Sequence, residues 1–125
     1  VKKKYSSEHM LLLIYIYYLK NFLSINDIQS ILNPLTEKFF GSEDGLSLSD
    51  IYQEIVKLEQ ENINSQARDI IRKLNKSGEA FGDVKDPEEK KLLTTFAFIC
   101  MLSFDVWVKK NIIENIIDDT LGDKK

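Results

Sequence analysis

Apolar positions recur at helical spacing along most of the chain, and only five Gly and two Pro argue against a strand-and-turn architecture, which needs frequent tight corners. The first such segment runs from about Glu8 to Phe22, with Ser6 or Ser7 placed to cap its free backbone N–H groups. Its middle, residues 11–19, is apolar or aromatic on every side, which predicts a helix covered by its own domain or by a second subunit. Ser24-Ile25-Asn26-Asp27 has the form of a capping box with aspartate in the glutamate position. It opens a helix that carries Ile25, Ile28, Ile31 and Leu32 on one face. Asn33-Pro34 is expected to end that helix, since the residue before a proline is pushed out of helical geometry. A further short helix would then take residues 35–40.

Gly41-Ser42-Glu43-Asp44-Gly45 reads as an exposed loop. Beyond it, Ile51, Ile55 and Leu58 keep helical spacing, and Ile63, Ala67, Ile70 and Leu74 do so again. The five-residue step from Leu58 to Ile63 shifts the stripe off its face. Either the helix breaks there or one long, bent helix changes partner, and the latter is the favoured reading. Ser77-Gly78 predicts a stop and residues 79–85 a linker. Asp86-Pro87-Glu88-Glu89 combines an N-cap, a proline at the first helical position and acids at the positive end of the dipole. No breaker follows until Gly122, so this last helix is expected to exceed 30 residues, or about 45–50 Å. Its overhang needs cover, and a second copy of the chain is the simplest source. The expected fold is all-α: a compact helical bundle of about five helices with a long C-terminal helix.

Composition adds little to that outline. The chain has 125 residues, with 43% hydrophobic and 30% charged, which suits one globular domain. A net charge of -3 gives no overall attraction to nucleic acid, although Lys2, Lys3 and Lys4 form a basic cluster at the start. The uncharged runs at residues 10–19 and 92–104 are shorter than the roughly 20 residues of a membrane span, which predicts core helices, no membrane and a cytoplasmic protein. The lone Cys100, inside an apolar run, is expected to be a buried small hydrophobe.

Candidate chemistry is sparse. A single histidine, His9, and a single cysteine rule out the paired-histidine and cysteine-rich zinc patterns, and no glycine-rich phosphate loop is present. His9 is expected to face solvent or cap its helix. Neighbouring acids such as Glu88/Glu89 and Asp118/Asp119 diverge by about 100° on a helix and do not converge on one ligand. No enzyme, metal or cofactor is predicted. The aromatics Tyr15, Tyr18, Phe98, Phe104 and Trp107 are expected mainly to pack, with an apolar pocket or a dimer interface as the functional alternative.

Residues Lys4-Tyr5-Ser6-Ser7-Glu8-His9-Met10, then Leu13, Ile16, Leu19, Lys20, Leu23-Ser24-Ile25, Ile28 and Ile31-Leu32, resemble the second half of a MerR-type winged helix-turn-helix head. More closely they resemble an uncharacterised bacterial domain family that joins such a head to a helical half. The resemblance covers about a quarter of the chain. It implies a transcription regulator whose helix-turn-helix precedes the wing, so that the sequence as given starts in the wing and lacks the base-reading element. Residues 1–33 would be the end of the head and 34–125 a helical dimerisation and regulatory part. Phosphate contact would fall to Lys2, Lys3, Lys4 and Tyr5. The implied partners are a second copy and, through the absent head, DNA, with any small-molecule effector unidentified. The alternatives are a helical adaptor for another protein and a sensor of a small apolar ligand.

Overall fold

The structure is a computed structural model and describes residues 2–41 and 45–121, with side chains from residue 7 onward. Every regular element among the described residues is helical. In order they are α1 (Lys2–Leu19), α2 (Ile25–Phe39), α3 (Leu48–Ala80) and α4 (Pro87–Ile116), the last running on into a π-helical turn, Ile117–Leu121. The all-α class and the long last helix agree with the sequence reading; there are four α-helices where about five are expected.

The missing boundary lies at Pro34, which sits inside α2. Proline removes one backbone N–H and crowds the carbonyl four residues back. Both effects fall on an exposed side, since Asn33 and Pro34 face outward. On the opposite side Ile28, Ile31, Leu32 and Leu35 all belong to one apolar cluster, so packing holds the chain helical before and after the proline. The start of α1 also differs from expectation. Its backbone is helical from Lys2, without the non-helical, wing-like lead-in or the cap at Ser6 or Ser7. The side chains of Lys2, Lys3, Lys4 and Tyr5 lie outside the described residues.

Three helix starts carry their caps. Asp27 N–H donates to Ser24 Oγ at 3.1 Å. Asp50 N–H donates to Ser47 Oγ at 3.1 Å, while Ser47 N–H donates back to Asp50 Oδ2 at 3.1 Å, a complete reciprocal box. Glu89 N–H donates to Asp86 Oδ2 at 3.0 Å. The Ser77-Gly78 stop is overridden, because α3 continues to Ala80. The loop that follows is closed by Gly82 N–H on the Glu79 carbonyl and Val84 N–H on the Phe81 carbonyl.

The chain divides into two compact units. One comprises Val1–Leu58 with Lys110–Lys125, the other Glu59–Lys109. The first holds the apolar core. Leu23, Ile28, Leu32 and Ile117 are buried together, with Tyr15, Leu19, Ile31, Leu35 and Ile113 packed around them. Leu48 at the start of α3 is 1% exposed. The π-helical turn brings Ile117 into this core while Asp118 and Asp119 stay outside. Glu8 is buried here too. Its Oε1 accepts a 2.8 Å hydrogen bond from Gly41 N–H, fixing the start of the loop after α2. Gly41 has φ of 73° and Gly45 of 78°, a left-handed backbone that glycine adopts without strain. Ser42, Glu43 and Asp44, the rest of the predicted loop, lie outside the described residues.

The second unit is a helical hairpin made from residues 59–80 of α3 and 87–109 of α4. The slip in the apolar stripe between Leu58 and Ile63 coincides with the boundary between units, and α3 is continuous across it. Ile51, Tyr52 and Ile55 are half-buried in the first unit, whereas Ile63, Ala67 and Ile70 are exposed in the second.

Candidate association surface

The hairpin is held together by polar contacts along its inner seam. Lys73 is 6% exposed and lies between two carboxylates. Its Nζ meets Asp105 Oδ2 of α4 at 2.8 Å and also pairs with Asp69 one turn back on α3. Arg72 reinforces Asp69 at 2.6 Å. Hydrogen bonding to Asp105 and then to Asp69 raises the Lys73 ammonium above the ordinary lysine value of 10.5. Hydrogen bonding from Lys73 and then Arg72 holds Asp69 below the ordinary 3.8. One turn on, Ser77 is 2% exposed. Its hydroxyl donates to the Lys73 carbonyl at 2.8 Å and lies 3.4 Å from the Met101 sulfur of α4. Gly78 brings α3 close to Thr94 of α4, whose Cγ2 would stand 3.9 Å from an added Cβ.

Lys73 and Ser77 are the fully buried residues of this unit among those described, and both are polar. Most of the large apolar side chains are exposed. On α4, Leu92, Phe96, Ile99, Phe104, Val106 and Trp107 are each more than half exposed. On α3, Ile63 and Ile71 are too, with Ile70 and Leu74 close behind. No described residue of α4 before the π-helical turn is fully buried. Apolar area left in water forgoes about 25 cal/mol per Å², which makes this face a candidate association surface.

The residues singled out in the sequence divide between the units. Tyr15 packs on the core of the first unit and meets Tyr52 edge-on, with ring centroids 6.1 Å apart. Tyr18 lines an open apolar hollow of about 470 Å³ with Met10, Leu13, Ile14, Tyr17 and Tyr52. In the second unit Phe98 is half-buried, while Phe104 and Trp107 stack with centroids 5.8 Å apart on the open surface. Cys100 is exposed, contrary to expectation, because it sits on the side of α4 turned away from α3. His9 is exposed as expected and meets Phe40 edge-on at 5.0 Å. The described residues contain no cluster of histidine, cysteine and acids able to hold a metal. Sequence reasoning missed Lys73 altogether. Its signal was a lysine four residues after one acid, Asp69, and matched by another, Asp105, that ends the uncharged run of α4.

α4 with its π-helical extension is long and apolar enough to cross a membrane by length and composition, although the uncharged run within it is only thirteen residues. Among known proteins, a family described as a domain of unknown function (DUF1836) matches residues 1–55, less than half of the chain. No curated protein and no solved structure matches it.

Proposed function

We propose that this chain is the helical dimerisation and regulatory part of a bacterial DNA-binding transcription regulator. The observation that carries the dimerisation half is the hairpin of residues 59–109, which buries a lysine and a serine and leaves most of its large apolar side chains exposed. Two helices cannot enclose a core between them, and two such hairpins can, as a four-helix arrangement. The DNA-binding half rests on the resemblance of residues 4–32 to the end of a MerR-type head. Light scattering at tens of micromolar tests the first half: a dimer mass is expected, and a strict monomer overturns it. For the second half, Lys2, Lys3 and Lys4 are changed to glutamine in the full-length protein. DNA affinity should fall, and the dependence of log K on log salt should become shallower by about 0.9 for each phosphate no longer neutralised. Unchanged affinity and slope would favour the protein-adaptor reading.

A second reading has its own observation, the length and apolar composition of α4. In it, α4 associates with a bilayer. The hairpin weighs against this, because Arg68, Arg72, Lys76 and Glu79 lie on the same short stretch of α3 and would be drawn towards the lipid with it. Flotation with anionic lipid vesicles separates the two: a dimerisation module stays in the dense fraction.

A further inference from the structure

The contacts between α3 and α4 divide α4 into two faces. Thr94, Met101 and Asp105 meet α3. Half a turn round the helix lies a second row, Leu92, Phe96, Ile99, Ser103 and Val106, spaced by 4, 3, 4 and 3 residues. That alternation is the seam of a coiled coil, and it stays straight along a helix that pairs with another. Every member is exposed, Leu92 at 68%, Phe96 at 64%, Ile99 at 53% and Val106 at 63%. The seam ends in charge. Glu88 and Glu89 precede it by one turn, and Lys110, eleven residues after Ile99, continues its line; all three are exposed.

We propose that this face of α4 pairs with the same face of a second copy, with the two α4 helices antiparallel and the two-fold axis beside Ile99 and Cys100. The proposal rests on the dimerisation reading and specifies its geometry. Charge selects the direction. A parallel pair sets Glu88 and Glu89 against their own copies and Lys110 against itself, which is repulsive at both ends. An antiparallel pair about residue 99 sets Glu88 and Glu89 of each copy opposite Lys110 of the other, attractive at both ends. Ser103, small and close to the axis, lets the backbones approach. The arrangement is isologous, so it closes at two copies.

Directed cross-linking tests the direction. In a Cys100→Ser background, one preparation carries Glu89→Cys and a second, distinguishable by mass, carries Lys110→Cys. They are mixed, allowed to exchange and mildly oxidised, with helicity checked by circular dichroism. The expected product is the mixed 89–110 disulfide, with both same-site disulfides at trace level, because equal positions lie about 30 Å apart in the antiparallel pair. A light-scattering dimer that yields same-site disulfides, or none, overturns this pairing and leaves the dimerisation reading standing. A monomer overturns both. Flotation of the unmodified chain with lipid vesicles as a monomer assigns the face to a bilayer and overturns the proposal as well.

Discussion

At the scale of single residues, the main departure from an ordinary helical protein is that the hairpin hides an ammonium group. Lys73 is tolerated there because Asp69 and Asp105 both reach it, and a buried charge left without its partners is strongly destabilising. The arrangement ties stability to pH at both ends. Asp69 titrates below the ordinary 3.8, so its contribution is present above that value and disappears as pH falls through the lowered one. Lys73 titrates above the ordinary 10.5, so its contribution is present below that value and is lost as pH rises through the raised one. Helicity followed through thermal melts should therefore be most robust between those limits. Lys73→Met should flatten both limbs while lowering stability near neutrality, where Asp105 would lose its cation and Asp69 would keep only Arg72. Equal steepness in the two proteins would show that the cluster is not coupled to folding. This is the least legible part of the sequence. A lysine at an inner position looks like any solvated lysine until the acid on the facing helix is known, and that acid lies 32 residues away, at the end of an uncharged run.

At the scale of elements, local chemistry reads well wherever a side chain satisfies a backbone group of its own helix. The caps at Ser24, Ser47 and Asp86 are written in three or four consecutive residues, and all three form. Breakers read badly, because their cost of a few kcal/mol at most is set against packing that the sequence does not display. Pro34 is outweighed by the cluster around Leu32, and Gly78 by the close approach of α3 to Thr94. The glycine offers a measurable case. An added Cβ would sit in ordinary contact, 3.9 Å from Thr94 Cγ2, and the backbone there is not left-handed. Gly78→Ala should therefore stabilise the chain by about 0.5–1 kcal/mol, the helix-propensity difference, as a rise in denaturation midpoint at constant slope. A loss of stability would mean that the helices are packed more tightly than that distance implies.

For the molecule as a whole, the sequence makes the helical class plain and conceals which apolar residues are core. A helix that is apolar all round is expected to be buried all round, and α1 and α4 are not: Leu13, Tyr17 and Tyr18 on one and Leu92, Phe96 and Val106 on the other are all more than 60% exposed. The excess is what the proposed dimer would cover, and Cys100 lies within it, exposed although the run around it reads as core. Ile99 turns that distinction into a measurement. It is 53% exposed in the protomer, so Ile99→Asp should cost the isolated fold no more than about 1 kcal/mol, as typical surface changes do. In the association seam the same change sets two carboxylates beside the axis in an apolar surround, and it should abolish the dimer. Stability linked to association makes the apparent Tm rise with protein concentration. The native chain is therefore expected to show that rise, and the variant to melt at the lower, concentration-independent temperature with its helicity intact. If both proteins melt independently of concentration, the exposed apolar face of α4 contributes nothing to association in solution; if the variant unfolds outright, Ile99 belongs to the protomer's own core.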